Sequence, residues 1–162
     1  MAIKKENGQS VADSKVYLNK MNSTAYKVKM GNQLDSQKGS VKAIYDFAVS
    51  GGAVSTISLL DDDGVAVVLP DNAIITSVYV DIITAMVSTG GTGTIALNSE
   101  GAGDLLAAVD ADTLSGIAAG IPVGTAATAV KLTAERTLSV AIATAALTAG
   151  KFVAIVDYSV SV

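Results

Sequence analysis

The stretch Leu69 to Ala85, LPDNAIITSVYVDIITA, constrains the fold more than any other part of the chain. From Ile74 onward it alternates. Ile74, Thr76, Val78, Val80, Ile82 and Thr84 form one set, all apolar or β-branched, and Ile75, Ser77, Tyr79, Asp81, Ile83 and Ala85 form a mixed second set. A period of two with β-branched residues predicts a strand with one face on a core. At about 3.3 Å per residue it would span roughly 40 Å, about twice an ordinary strand. Pro70 stands just outside it, where a missing N–H does no harm. Asp71 and Asn72 turn the chain in, and Gly90, Gly91 and Gly93 release it. The expected place for such a strand is the middle of an antiparallel β-sandwich.

The rest of the body carries similar signals. Residues 41–49 alternate, with Ala43, Tyr45, Phe47 and Val49 against Lys42, Ile44, Asp46 and Ala48. Val54 to Leu59 and Val65 to Leu69 flank the tight turn Asp61-Asp62-Asp63-Gly64, a hairpin signal. Thr94 to Leu97 reads as a strand, Asn98 to Asp104 as a glycine-rich acidic turn, and Leu105 to Val109 as a short strand or helical turn. Residues 110–127 mix apolar residues with Gly116, Gly120, Gly124 and Pro122, which predicts a long ordered, covered loop. Thr128 to Thr133 is the next expected strand. Thr137 to Ala143 and the run from Lys151 to Val162 then alternate cleanly and read as a hairpin; Phe152, Ala154, Val156, Tyr158, Val160 and Val162 share one side of the second strand. Eight to nine strands with no convincing helix predict an all-β sandwich, jelly-roll-like in topology.

Charge divides the chain. Residues 1–42 hold eight lysines against three acids, net +5, whereas residues 43–162 hold three cations against twelve acids, net −9. The expected organisation is an extended basic N-terminal arm, 1–40, on a β-sandwich body, 41–162. Within the arm Tyr26-Lys27-Val28-Lys29-Met30 alternates over enough residues for a short added strand. The body is charge-poor: the whole chain is 50% hydrophobic, 16% charged and 4% aromatic. So few charges leave part of the surface apolar or weakly polar, which either a partner covers or Ala, Ser, Thr and Gly keep solvated. The segment MAIKKENGQSVADSK has no apolar core of signal-peptide length, and no run of about 18 uncharged apolar residues exists. The expectation is a soluble protein made in the cytoplasm, without membrane contact.

Catalysis finds little to work with. The chain has no cysteine, histidine or tryptophan, so thiol nucleophiles, thiolate metal sites, a Ser–His triad and the usual neutral-pH base are excluded. Asp61 to Gly64 offers adjacent carboxylates to a hard cation, but the spaced ligand pattern of a calcium loop is absent, and a solvated hairpin tip explains it. Asn98, Glu100 and Asp104 invite the same two readings. STGGTG at 88–93 and EGAGD at 100–104 lack the strand–helix context and the Lys-Ser/Thr of a phosphate loop. Paired carboxylates of the glycosidase kind would want aromatic platforms, yet Tyr45, Phe47, Tyr79, Phe152 and Tyr158 are the body's whole supply, and packing accounts for most of them. The arm's lysines come without arginine or a recognised nucleic-acid motif; docking on an acidic protein surface suits them as well. No catalytic residue, cofactor or metal is expected.

The phrases LPDNAIITSVYVDIITA, GTGTIALNSEGAGDLLAA, PVGTAATAVKLTAERTLSVAIATAALTAGKF and VDYSV resemble small structural proteins of tailed bacteriophages, and among them the head decoration (cement) proteins. The likeness covers most of residues 65–160 and not the arm. It implies a non-enzymatic virion protein that binds the outer surface of the major capsid protein shell, as a homo-oligomer, trimer favoured and dimer possible. It implies that the arm lies across the shell, on the capsid exterior. The arm residues that would make the contact are Lys4, Lys5, Lys15, Tyr17, Leu18, Lys20, Tyr26, Lys27, Val28, Lys29 and Met30. The alternative is a tail- or fibre-associated module that binds host carbohydrate through loops 98–104 and 110–127.

Overall fold

The computed structural model describes residues 38–161. Eleven strands alternate with short turns: β1 Lys38–Asp46, β2 Ser55–Ser58, β3 Val68–Leu69, β4 Ala73–Ser88, β5 Thr94–Asn98, β6 Leu106–Asp110, β7 Ile117–Val123, β8 Val130–Lys131, β9 Arg136–Thr137, β10 Ser139–Ala143 and β11 Leu147–Val160. One helical turn, α1 Phe47–Ser50, and 3-10 turns at Thr89–Gly91 and Ala111–Thr113 complete the elements among the described residues.

The strands form two layers. One sheet runs β1-β11-β4-β7, with β8 also on β4; the other runs β2-β10-β5-β6, and β3 and β9 pair beside them. Set aside the three two-residue strands and eight remain. The first then pairs with the last (β1–β11), the second with the seventh (β2–β10), the third with the sixth (β4–β7) and the fourth with the fifth (β5–β6), all antiparallel. That is one long hairpin wrapped on itself, the jelly-roll topology. The all-β sandwich expected from the periodicity is the architecture observed.

The core lies between the layers. Tyr45, Ile75, Val78, Val80, Phe152 and Val156 reach in from the first sheet, and Ile95, Leu97, Val140 and Ile142 from the second. Tyr45 and Phe152 stack, ring centroids 5.3 Å apart and 23° from parallel, an offset arrangement that suits the ring quadrupoles. The buried Tyr45 hydroxyl donates to the Gly51 carbonyl at 2.7 Å, and its pKa rises to about 12, from burial first and the neighbouring Asp46 charge second.

Several elements differ from expectation, each for a local reason. The first strand covers 38–46 instead of 41–49, because the Asp46 carboxylate accepts the Ala48 N–H at 2.9 Å and caps a helical turn. Val49 is therefore 72% exposed instead of packed. β4 is the long interior strand anticipated, but its faces exchange partway. Ala73 and Ile75 are buried, then Val78, Val80 and Met86. The register passes from Ser77↔Asp157 to Ile75↔Tyr158, so Thr76 has no residue opposite it, and this bulge moves the core face from odd to even positions. The expected strands at 65–69 and 128–133 shrink to two residues each, and Leu138, buried, divides the expected strand 137–143 into β9 and β10.

Two corrections matter more. The last two alternating runs are not a hairpin: β10 pairs β2 and β5, whereas β11 pairs β1 and β4 in the opposite layer. Thr144, at φ 67°, sits in the left-handed region on the way across. Each run buries its apolar face by crossing to a different sheet; alternation alone cannot tell which neighbour a strand takes. Within 110–127, read as a loop, residues 117–123 form β7. Gly120 and Pro122 obscured it. Pro122 is tolerated because β7 is a sheet edge and the register against β4 is irregular there, Ser77 meeting Val123 and Tyr79 meeting Ala119. Gly120 is required: a Cβ there would stand 2.4 Å from the Leu105 carbonyl oxygen and 2.7 Å from Val78 Cβ.

That contact makes a prediction. Gly120→Ala should lower unfolding free energy by about 1–3 kcal/mol, the usual cost of overpacking, read as a shifted urea midpoint with unchanged slope. An unshifted midpoint would mean that the 117–123 segment does not pack there.

Candidate functional site

The acidic loops come first, because they hold most of the carboxylates that sequence reading singled out. At the hairpin tip, Asp61 accepts the N–H groups of Asp63 at 3.0 Å and Val65 at 2.8 Å. In the second loop Asp104 accepts the N–H groups of Ser99, Glu100 and Gly101 at 2.7, 2.8 and 2.9 Å and the Ser99 hydroxyl at 2.8 Å, while Asn98 Oδ1 accepts the Gly103 N–H at 2.6 Å. Asp112 accepts both the N–H and the hydroxyl of buried Ser88, whose oxygen in turn accepts the Gly93 N–H at 2.8 Å. These carboxylates are turn staples, with their lone pairs committed to backbone N–H groups. Among the described residues no three metal-ligating side chains come together.

Glu100 ties the same loop to the strand beside it. Its carboxylate takes Arg136 Nε and Nη2, both at 3.0 Å, and the Thr133 N–H at 3.1 Å. The Arg136 hydrogen bond first, then those of Thr133, lower its pKa to about 2. A second ion pair, Asp46–Lys151 at 2.9 Å, spans β1 and β11. It edges a groove of about 280 Å³ with Ile44, Val49, Leu60 and Asp61 on its walls. The groove holds no nucleophile–base pair, and Lys151 holds the Asp46 carboxyl below its ordinary pKa. The eleven arm residues named as a contact surface, Lys4 to Met30, lie outside the described residues.

What remains is the outward face of the β1-β11-β4-β7 sheet. Ala43, Tyr45, Phe152, Ala154, Val78 and Val80 point to the core, so their strand neighbours point away from it. The paired registers lay those neighbours out in rows: Lys42–Ile155–Tyr79–Ala119, then Ile44–Val153–Asp81–Ile117. On the row beyond, Ser40, Asp157, Ser77 and Val123 line up, with the Ser77 hydroxyl donating to Asp157 at 2.6 Å. Tyr79 is 47% exposed, Ile83 55%, Ile117 72%, Ile121 41% and Val123 55%. A Val or Ile side chain left in water forgoes about 1.5–3 kcal/mol relative to full burial, so this face carries a row of apolar side chains whose burial is unspent. The sequence signal for it was present: IAAGIPV alternates large and small apolar residues over 117–123. A loop reading of that segment hid it.

No protein-family model matches the chain, and no curated protein does. Solved structures do. A chain from the acidic stable capsid structure of Helicobacter pylori bacteriophage KHP30 matches with TM-score 0.55 and 15% identity, over 78% of this chain and 90% of that one. A chain from the capsid of Ralstonia phage GP4 gives 0.52 and 18%, over 79% and 87%. One from the cyanophage Pam1 capsid asymmetric unit gives 0.53 and 17%, over 77% and 86%. At such identities the likeness is one of fold: a jelly-roll β-sandwich of the kind found in phage capsids.

The Glu100 clamp predicts a pH dependence. Its folded pKa, about 2, lies below the ordinary 4.5. Its contribution to stability is therefore fully present above about 4.5 and fades as pH falls toward 2. Glu100→Gln should melt lower than the parent at pH 7, and the gap between the two melting temperatures should narrow through that window. A gap that stays constant from pH 7 to pH 2 would remove the clamp from the account.

Proposed function

We propose that this chain is a non-enzymatic structural protein of a phage virion, which decorates and stabilises the capsid by binding the outer surface of the major capsid protein shell. The observation that carries the reading is the likeness of this jelly-roll sandwich in overall fold to chains from three phage capsid structures. Two features support it. Asp61 and Asp104 in the acidic loops are engaged in holding turns and Glu100 in a clamp on Arg136, with no histidine or cysteine to work beside them. The sandwich also presents an uncharged edge strand and a broad apolar face.

In this reading residues 1–40 fasten the body to the shell. Exposed Lys-to-carboxylate pairs contribute only about 0–1 kcal/mol each. Tyr17, Leu18, Tyr26, Val28 and Met30 therefore supply most of the anchoring, and Lys4, Lys5, Lys15, Lys20, Lys27 and Lys29 mainly speed and orient the approach. Many copies on a repeating shell multiply a modest single contact into firm attachment.

The test is co-sedimentation of the full-length chain with empty shells at low and high salt. Replacing the five apolar arm residues with serine should abolish pelleting at every salt. Replacing the six lysines with alanine should weaken it at low salt and flatten its salt dependence. If both variants pellet as the parent does, the arm is not the fastening and the reading fails.

A further inference from the structure

We propose that the outward face of the β1-β11-β4-β7 sheet, centred on β7, is the surface through which one copy of this chain binds a second copy. The inference rests on the virion reading for its setting and deepens it by naming the self-contact.

The first observation is that β7 is built inside out. Its alternation is intact, but the polarity is reversed. Ile117, Ile121 and Val123 face outward at 72, 41 and 55% exposure, with Ala119 between them, while Ala118, Gly120 and Pro122 face the sandwich. The interior cannot take the larger set, because even a Cβ on Gly120 would meet the Leu105 carbonyl at 2.4 Å. Small residues inside are thus explained by space. Large apolar residues outside are not, since polar side chains would fit a wet face equally well. An edge strand normally guards itself with charge, and β7 has none.

The second observation is continuity. Tyr79 and Ile83 extend the apolar surface along β4, and Val153, Ile155 and Ile44 carry it across β11 to β1 in the paired rows. The face is four strands wide, not a single protruding residue.

The third observation selects the occupant. Two charges interrupt the two apolar rows, Asp81, opposite Ile117 and Val153, and Lys42, opposite Ile155; Asp157, on the row beyond, accepts the Ser77 hydroxyl. Among the described residues neither has an ion-pair partner; the pairs there are Glu100–Arg136 and Asp46–Lys151. One acid and one base displaced from each other on one apolar face make that face complementary to itself. A second copy laid against it brings Lys42 onto Asp81, twice over in a two-fold contact or once per interface in a ring. A foreign surface would have to supply both signs at the same offset.

The experiment is the solution mass of the full-length chain by sedimentation over a concentration series, with thermal unfolding followed by circular dichroism. The parent should exceed 16.2 kDa and dissociate on dilution. Ile117→Glu and Asp81→Lys should each raise the dissociation constant at least about tenfold with the melting profile of the isolated subunit kept. The swap Asp81→Lys with Lys42→Asp should restore association, which a merely unfolded variant cannot do. A parent that stays monomeric, single variants of parental mass, or a swap that fails to restore association would each overturn the proposal. Shells run alongside separate the two ideas. A monomer that pellets with shells removes this face and leaves the virion reading, whereas an oligomer that ignores shells does the reverse.

Discussion

The ladder between β4 and β11 is the constraint on which the rest depends. Twelve residue pairs join the two strands, and each has a further partner on its other side, β1 on β11 and β7 on β4. Because a strand's side chains alternate, fixing this one register decides which residues of all four strands enter the core. Phe152, Ala154 and Val156 enter from β11, Val78 and Val80 from β4, and Ala43 and Tyr45 from β1. Slipping it by one residue would turn every one of them to water. The ladder shifts register at four places; at the bulge beside Thr76 the Thr76 hydroxyl donates to the Asp157 carbonyl at 3.2 Å. By this device a 16-residue strand keeps an apolar residue over the core at both of its ends even though the sequence pattern changes phase midway.

That phase change marks the limit of what could be read beforehand. Local periodicity was sound wherever one strand buries one face, so β1, β4, β10 and β11 were visible as alternating runs, and the all-β sandwich followed. Partner choice was not visible. β10 and β11 look like neighbours because a short turn joins them, yet they belong to opposite layers. The energy that separates them comes from the full set of cross-strand contacts, not from the turn. β7 was invisible for a different reason. Glycine and proline argue for a loop in isolation, and only the nearness of Leu105 and Val78 shows why a glycine is required inside a strand. The helical turn after β1 was hidden the same way, by an aspartate whose capping role depends on where the strand ends.

The candidate site divides along similar lines. The acidic stretches 61–64 and 98–104 offer carboxylates to a cation, with a solvated hairpin tip as the favoured alternative; what the structure adds is that Asp61 and Asp104 staple their own turns. Asp104 alone accepts three backbone N–H groups. A carboxylate engaged that fully has little capacity left for a cation, and such groups concentrate charge where the backbone needs it rather than where a ligand would meet it. The chain's acidity is therefore largely structural in the loops. On the outward sheet face, Asp81 and Lys42 stand without an ion-pair partner among the described residues, amid apolar neighbours.

In the proposed decorating role this chain would have two attachments to make, and they would draw on different physical forces. The basic segment before β1 suits a charged shell at long range, with a strength that salt tunes. The outward sheet face suits a partner at close range, with a strength set mainly by apolar area and a register set by Lys42 and Asp81, so that salt acts on it less than on the lysine-rich segment. Neither needs to be strong alone. Self-association of bodies raises the local concentration of arms, and arms held on a lattice raise the local concentration of bodies, so each modest equilibrium multiplies the other. That coupling gives an uncharged, inside-out edge strand a purpose that stability alone would not. On a free monomer it is a liability. In the proposed role, on a repeating shell that holds copies side by side, it would convert loose decoration into a connected layer.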